Sequence, residues 1–551
     1  MAGDKPWPQV PVGNKDYGNA AVVIIGAGIS GLCTAIDLIK RNNCHNFIIL
    51  EKSAGLGGTW YDNAYPGCCC DVWSSLYSYS FAQNSDWTRE YPGQEEILSY
   101  LIKVAQENNL YQHIRFNTFV EEARWDEELM KWRTKVSTVQ GSKEAESSPE
   151  YEIKSDFLVS AVGQLNQPKW PEIEGITNFA GKKMHSARWD WSYDPRDKKI
   201  ALLGNGCTAV QILPEIAKVA QKVTVFQRTP DWVVPRMDAP VLPLMRNVLK
   251  YLPPVRWRKR ALQMEFREAT HGFVADPNSD IAQLFKDASK EMMQNQLPNR
   301  PELWEKLTPK YNVGCKRIII SDDYFPSFNK PNVELETRTI HSVGEKTVKV
   351  VDDDGQGKEV DEYDMLDGAH AYLGVCVEDM PNFGMLYGPN TNLGHNSIIL
   401  MIEQQSRYIG GLIDAVLDVR KQGKTLSLTP RKEKVDAYNA KLQEVLQNSA
   451  FNDPNCNSWY KNEAGLITNN WSGTVLEYQN RLSSVEYGDY EAEGTGKTIV
   501  QKKQRQKIGR VVEETQFSDK ALLTMGLLST VALVGGFLLR NTRYLSALRV
   551  R

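Results

Sequence analysis

Two short apolar runs in the first half of the chain are each followed at once by a glycine-rich turn. The first run covers residues 21–25, and the stretch after its turn, LCTAIDLIKR, spaces its apolar residues as an amphipathic helix does. The second predicted strand covers residues 199–203, is apolar after Lys199, and leads into another such turn. A continuous apolar run of this length is typical of a parallel strand buried on both faces. The pattern predicts two strand–turn–helix units of the Rossmann type.

The first turn contains the three glycines of a dinucleotide-binding motif, Gly26, Gly28 and Gly31. Such glycines allow a tight turn, close approach of the backbone to a pyrophosphate, and tight helix packing. The pyrophosphate lies at the helix N-terminus, where free N–H groups favour an anion. The next predicted strand, NFIILEK, ends near Glu51, and an acid there binds ribose hydroxyls and repels a 2′-phosphate. The first unit is therefore predicted to bind FAD.

The second strand–turn–helix unit differs from the first at the end of its next strand, the position that distinguishes NADPH from NADH. It contains Gly204, Gly206 and Thr208, and Ala209 replaces the third glycine, which the motif tolerates. The strand KVTVFQR that follows ends in Arg228 instead of an acid. A cation at this position suits a 2′-phosphate, so we expect NADPH here. The alternative is that Arg228 is only a solvated charge at a strand end.

The composition limits the classes of protein that need to be considered. The 551 residues suit two or three domains, and a net charge of −3 gives no support for nucleic-acid binding. The nine cysteines are odd in number and have no C-x-x-C spacing, so we expect thiols in a reducing compartment and not a disulfide framework. Residues 68–70 are three consecutive cysteines, which we expect to be buried or half-buried thiols. No metal site is predicted.

The C-terminal region carries a membrane signal. Residues 521–539 form an uncharged apolar run that, as a helix, is just long enough to cross a bilayer. A charged linker, 501–520, precedes the run and favours a transmembrane helix over a helix packed on the globular part. The N-terminus lacks the features of a signal peptide. We expect a cytoplasmic-facing protein that is anchored to a membrane by 521–539.

A longer motif between the two turns supports a family resemblance. Phe179, Gly181, His185, Trp189 and Asp190 match the fingerprint F-x-G-x-x-x-H-x-x-x-W-[PD] at every fixed position. With the two turns, this motif resembles class B flavoprotein monooxygenases, most closely Baeyer–Villiger monooxygenases of the fungal kind. The resemblance covers about residues 21–477. It implies that the fingerprint segment links the domains as a hinge and influences the reaction without performing it.

Three further segments resemble parts of the same family. The segments are 57–72, which packs against the flavin, 314–333, which carries the active-site arginine, and 388–405, the last contact with FAD. The resemblance implies that Arg317 and Asp71 are catalytic and that Lys316 joins Arg228 at the 2′-phosphate. The remaining residues that it implies for cofactor binding are Gly58, Thr59, Trp60, Tyr77, Thr229 and Asn396.

The resemblance also implies a reaction. NADPH reduces FAD, and the reduced flavin adds O2 to give a C4a-peroxide. A fixed arginine favours the anionic peroxide, which attacks a ketone and yields an ester or lactone. The expected substrate is a small hydrophobic ketone, as in fungal secondary metabolism. Alternatives are a monooxygenase that hydroxylates or oxidises nitrogen or sulfur, and an impaired relative. A two-nucleotide reductase is disfavoured because it would leave the fingerprint unexplained.

The resulting architecture is an α/β protein with two Rossmann-type domains, the NADP domain being inserted in the FAD domain. We predict that the FAD domain comprises 15–165 and 336–500. The NADP domain would occupy 170–335, with a helical insertion at about 235–296. The segment 361–375 departs from the family because it is shorter than usual close to FAD.

Overall fold

A computed structural model describes residues 16, 18–138, 150–351, 369–462 and 465–512. The strands are β1 Asn19–Ile25, β2 Phe47–Leu50, β3 Ile114–Arg115, β4 Thr118–Asp126, β5 Lys131–Thr138, β6 Glu150–Ser160, β7 Lys199–Leu203, β8 Lys222–Phe226, β9 Val233–Val234, β10 Ile319–Ile320, β11 Val333–Glu336, β12 Thr339–Val343, β13 Val348–Val351, β14 Phe383–Met385, β15 Ser427–Pro430, β16 Ser484–Glu486, β17 Tyr490–Glu493 and β18 Arg505–Lys507.

Helices connect and cover these strands. They are α1 Ile29–Lys40, α2 Thr59–Asp62, α3 Gln94–Glu107, α4 Cys207–Ile216, α5 Pro243–Tyr251, α6 Pro253–Ala269, α7 Gly272–Ala275, α8 Asp280–Gln296, α9 Pro301–Leu307, α10 Tyr324–Ser327, α11 Ile398–Arg420, α12 Lys432–Gln447, α13 Val475–Arg481 and α14 Lys497–Lys503.

The larger sheet is built around the first predicted strand. Its order is β3-β2-β1-β6-β5-β4, and β14 pairs with β6. Strand β1 runs parallel to both of its neighbours, with Val22 opposite Phe47 on one side and Phe157 on the other. All three side chains are fully buried. An apolar strand between two parallel neighbours is what the sequence pattern predicts. Helices α1 and α11 pack together, and most of α11 is buried.

The second sheet is smaller, and its first strand is less protected. The order is β11-β8-β7, all parallel, so β7 lies at the edge. Residues of β7 alternate between exposed and half-buried, whereas β8 buries Val223 and Val225. Helix α4 follows β7 directly, as the second glycine-rich turn predicts. The third strand, β11, returns to this sheet after a long excursion through α5–α10.

Helices α5–α9 lie between β9 and β10 in the chain, and α6 contacts the FAD-side segment. Arg260 on α6 is fully buried, and its Nη1 donates to the carbonyl oxygens of Ser75 and Ser78, the latter at 2.9 Å. Gln263, one turn further along α6, accepts a hydrogen bond from the Ser75 hydroxyl. Residues 75–78 follow Asp71 in the chain. Helix α6 is therefore attached to the segment that carries the predicted catalytic aspartate.

The expectation that all nine cysteines are thiols is wrong for two of them. Cys315 and Cys456 form a disulfide across 141 positions of sequence, because the fold packs the loop before β10 against the loop after α12. Asn312 and Asp453 hold the same two loops together by a 2.7 Å hydrogen bond. The other seven cysteines are free, and those at 68–70 are buried or half-buried, as predicted.

Two expectations fall partly or wholly outside the described residues. Most of the shortened segment 361–375 lies outside, since description resumes at residue 369. The apolar run 521–539 lies entirely outside, together with the end of the linker 501–520. Within the part of the chain that is described, no helix is long and apolar enough to cross a membrane.

Candidate active site

The first glycine-rich turn is too crowded for side chains. Gly26 has φ +105°, and a Cβ there would lie 2.6 Å from the carbonyl oxygen of Ala161 on the neighbouring strand end. A Cβ on Gly31 would overlap the carbonyl oxygen of Gly26. The Gly26 N–H donates to Leu50 at 2.8 Å and so ties the turn to β2. Sterics therefore demand glycine at both positions.

Glu51 lies directly after β2, beside this turn. It is buried, and its two carboxylate oxygens accept backbone N–H bonds from Ala27 and Ser53, each at 2.8 Å. Each oxygen keeps a further lone pair, because a carboxylate offers about four acceptor sites. The acid predicted to bind ribose is thus fixed at the carboxyl end of the sheet.

The segment that carries Gly58 crosses over the first turn. A Cβ on Gly58 would lie 3.0 Å from the Gly28 Cα, so the two backbones touch. Thr59 then begins α2, and the Trp60 Nε1 donates to the Tyr77 hydroxyl at 3.1 Å. Helix α1 has no acidic residue in its first turn, so its N-terminus can accept an anion. These residues form a backbone-lined cradle that fits the pyrophosphate of FAD.

The second turn is more open. Gly204 has φ +99°, and a Cβ on Gly204 or Gly206 would meet nothing within 4 Å. Thr208 and Ala209 lie in the first turn of α4. This first turn, like that of α1, contains no acidic residue. The open approach to this helix N-terminus fits a second pyrophosphate.

The residues predicted to select NADPH lie beyond β8 and before β10. Arg228 is exposed, lies two positions after the end of β8, and makes no ion pair with any described residue. The Lys316 Nζ lies 3.7 Å from Asp231 Oδ1 and 5.1 Å from the centre of the Tyr311 ring. Thr229 accepts a 2.9 Å hydrogen bond from Asn205 of the glycine-rich turn. The segment after β8 is thus tied to the turn, as a nucleotide site requires.

Asp71 and Arg317 form a bidentate ion pair, although 246 positions separate them. Arg317 Nε and Nη2 donate to the two carboxylate oxygens, the second at 2.7 Å, and Nη1 points to the Leu393 carbonyl at 3.4 Å. Burial by itself would raise the pKa of Asp71, but the charge and the hydrogen bonds of Arg317, together with the charge of Arg267, lower it. Burial would likewise lower the pKa of Arg317, and Asp71 reverses this. Both groups are charged at neutral pH.

Comparison with known proteins agrees with this geometry. A Baeyer–Villiger monooxygenase of Streptomyces coelicolor is 36% identical over 85% of this chain and 92% of its own length. A fungal FAD-binding monooxygenase, ktnD of Aspergillus niger, is 46% identical over 97% of this chain and 91% of its own.

The chain belongs to the Baeyer–Villiger type of flavin monooxygenases. The family model of flavin-binding monooxygenase-like proteins matches residues 19–250. A solved structure of OTEMO in complex with FAD and NADP has the same fold, with a TM-score of 0.72 and 23% identity. It covers 86% of this chain and 99% of that one. As a member of this family, the enzyme is an FAD- and NADPH-dependent oxidoreductase.

The fingerprint of this monooxygenase forms a compact segment before β7. The Phe179 ring occupies the space where Gly181 would otherwise carry a side chain. His185 Nδ1 accepts the Ala187 N–H at 3.1 Å and so begins a single 3-10 turn. The rings of Trp189 and Trp191 lie 6.3 Å apart. Asp190 pairs with Lys182, which lowers its pKa to about 2. The role of this segment as a hinge stays a prediction.

The monooxygenase has a second arginine at the Asp71–Arg317 pair that sequence reasoning missed. Arg267 on α6 is half-buried, and its Nη2 lies 3.5 Å from the Asp71 carbonyl oxygen. Its guanidinium carbon is 4.9 Å from the centre of the Trp73 ring. The buried Nε has no hydrogen-bond partner among the described residues. Burial lowers the pKa of Arg267. No motif marks it, since it lies in a helix of irregular composition.

A polar cluster at the start of α11 was also missed. The helix begins at Ile398 and is capped by Ser397. The Asn396 amide donates to Glu268 of α6 at 2.8 Å, and His395 Nε2 lies 3.3 Å from the same oxygen. Burial would raise the pKa of Glu268, but His395 and Asn396 reverse this. The cluster joins α6 to α11, which begins within the segment 388–405 that the resemblance places against FAD. The dipole at the N-terminus of α11 would stabilise negative charge next to that helix end.

Proposed function

We propose that this enzyme inserts oxygen beside a ketone carbonyl to give an ester or lactone, with the Asp71–Arg317 pair at the reacting centre. Bound FAD would supply the oxygen chemistry after reduction by NADPH. The bidentate pair is the observation that carries the proposal. It fixes a permanently charged guanidinium, and such a group stabilises oxygen atoms that gain negative charge during attack on a carbonyl.

Asp71 acts in this proposal as the positioning residue for Arg317. A guanidinium held by two parallel hydrogen bonds has little freedom to rotate, so its Nη1 edge keeps one direction. That edge faces the loop at Leu393, which leads to the polar cluster at Asn396 and to α11. The cationic edge therefore faces the segment that carries the proposed cofactor residue Asn396.

A hydrophobic substrate fits the surroundings of the pair. Trp73 lies two positions after Asp71, and its ring packs 5.5 Å from that of Phe266 on α6. Aromatic surfaces of this kind bind apolar molecules and exclude water from the polar groups beside them. We therefore propose a small apolar ketone as the substrate class and keep a role in secondary metabolism as a prediction.

The test is to compare product formation with NADPH consumption in Arg317→Ala. We expect ester formation to fall by about 10² or more, the usual effect of removing one oxyanion donor. NADPH oxidation should persist and end in hydrogen peroxide. Arg196→Ala, which removes an arginine that is 73% exposed, serves as the control and should behave as wild type. Unchanged ester formation in Arg317→Ala would refute the proposal. Sulfide oxidation by the wild type, with no ketone accepted, would favour the alternative reaction.

We also propose that residues 521–539 anchor the enzyme in a membrane. The support is the length and apolar character of the run and the linker before it. In carbonate extraction of cells, the wild-type chain should stay with the membrane fraction. A variant with Leu528→Arg and Val534→Arg should be released, because an arginine at the centre of a span costs about 2.5–3.5 kcal/mol. Release of both proteins would disprove the anchor.

A further inference from the structure

Large apolar side chains are exposed where α5 turns into α6. We name this surface the α5–α6 tip and define it by Leu242, Leu244, Tyr251, Leu252 and Val255. Their exposed fractions are 68, 75, 71, 52 and 41% respectively. Single exposed apolar residues are ordinary on a protein surface, but five within 14 consecutive positions form a patch.

The backbone holds this patch outward. Helix α5 fully buries one side chain, Leu249; Arg246 and Val248 are half-buried, and its other side chains are exposed. Leu252 ends α5, and Pro253 and Pro254 open α6, where proline is tolerated in the first turn but cannot continue a preceding helix. The tip is therefore a rigid corner, and α6 behind it is fixed by the buried Arg260.

The charged residues in the chain segment that forms the tip are all positive. Residues 239–264 contain six lysines and arginines and no aspartate or glutamate. Arg246 is paired with Asp86, and Lys259 with Glu90. Lys250 makes no ion pair with a described residue, and its Nζ lies 5.4 Å over the Tyr251 ring.

Arg256, on the α6 side of the tip, is a second cation of this kind. Its Nη1 donates to the Leu249 carbonyl oxygen at 3.3 Å, and it has no carboxylate partner in the described part of the chain. The two unpaired cations thus flank the apolar residues, one on α5 and one on α6.

We infer that the α5–α6 tip binds the surface of an anionic lipid bilayer. Interfacial segments combine an apolar face that enters the acyl boundary with lysines and arginines that remain at the headgroups. An aromatic residue with a polar end, such as Tyr251, prefers the same depth. Anionic headgroups attract each nearby cation, and the uncompensated charge of the tip matches them.

A second copy of the chain fits the tip less well. In a symmetric dimer the same patch meets itself, so Lys250 and Arg256 of one copy would lie close to those of the other. Like charges brought together in an interface oppose association. A bilayer carries the opposite charge and imposes no such conflict.

The experiment uses the full-length chain with an environment-sensitive dye on an introduced cysteine. In one protein the dye is attached at Tyr251→Cys, and in the matched control at Glu128→Cys, an exposed site on the turn between β4 and β5. The seven native thiols are buried or half-buried, so an exposed cysteine reacts faster. Each protein is mixed with vesicles of phosphatidylcholine alone or with added phosphatidylserine. The control shows whether attachment through 521–539 alone brings the whole surface to the lipid.

We expect a blue shift at 251 with the phosphatidylserine vesicles and none at 128. Leu244→Ser with Leu252→Ser should remove the shift, whereas Leu284→Ser, which changes a leucine 63% exposed on α8, should leave it. The shift should shrink in high salt because headgroup attraction is screened. Vesicle binding without a shift at 251 would overturn the inference. A shift that requires no vesicles but increases with protein concentration would assign the tip to self-association, and equal shifts with both lipids would refute the role of charge.

Discussion

Replacement of Asp71 by asparagine tests the ion pair most directly, because the side chain keeps its size and loses its charge. Wild-type Asp71 accepts two hydrogen bonds from Arg317. In Asp71→Asn one acceptor oxygen is kept, while the amide N–H2 faces a guanidinium N–H that it cannot bond. Arg317 then loses its fixed orientation and the charge that balances it. FAD binding should persist, since the cradle at the first glycine-rich turn is untouched.

The size of the effect follows from the distance and exposure of the pair. Two unit charges about 4 Å apart attract by roughly 4 kcal/mol at an effective dielectric constant of about 20. The side chains are 31% and 27% exposed, so water weakens this attraction, and we take about 1.5–3 kcal/mol as the coupling. Because 1.4 kcal/mol corresponds to a factor of ten, the turnover of ketone should fall about 10- to 100-fold.

The assay follows ester formation under saturating NADPH, with FAD content measured by absorbance. Asp418→Asn, which breaks an exposed pair with Lys421, is the matched control and should turn over normally. A double-mutant cycle with Arg317→Lys then isolates the pair. Because both residues act through one interaction, the double variant should be little worse than the poorer single one. Fully additive losses, or a change in turnover below about threefold for Asp71→Asn, would refute the reasoning.

Three further predictions concern residues around this centre. Arg267→Met should leave the free energy of unfolding in urea unchanged or slightly raised, because the variant removes a cation that lacks hydrogen-bond partners. Ketone turnover should fall about tenfold. Unaltered turnover would exclude Arg267 from the site. Burial holds the pKa of His271 at about 4. Between pH 4 and about 6.5 the folded protein therefore binds fewer protons than the unfolded chain. The stability of the fold consequently falls as the pH drops through that window. His271→Gln should flatten this fall, seen as urea midpoints against pH, and an equal slope in both proteins would count against it. Arg228→Ala should raise the KM for NADPH at least tenfold and leave that for NADH nearly unchanged, whereas equal rises would show that Arg228 does not contact the 2′-phosphate.

The local features of the fold could be predicted because they depend on short-range rules. The apolar run before Gly26 became the central strand β1, since a strand in a parallel sheet that is covered on both faces needs apolar residues at every position. The position of Glu51 followed from the same unit. The meeting of Asp71 with Arg317 came from the family resemblance, because nothing in the spacing of residues so far apart indicates a contact.

What the sequence could not indicate were contacts made by irregular segments. Arg267 and Glu268 lie in a helix without a recognisable motif, and their roles arise from the way α6 docks on the segment after Asp71. The disulfide was missed because the number and spacing of the cysteines indicate only that most of them are thiols. They cannot exclude a disulfide between one particular pair. Whether two sulfurs meet is decided by loop packing, here that of Asn312 against Asp453.

The bond between Cys315 and Cys456 closes the intervening chain into a covalent ring that contains β11–β14 and helix α11. One end of the ring is the residue next to Lys316, and the other belongs to the loop after α12. A protease that cuts once anywhere between the two cysteines therefore produces two fragments that migrate as one species until a reductant is added. The segment with Arg317 would stay joined to the piece that follows α12 after such a cut, so a nicked enzyme could keep its two halves together.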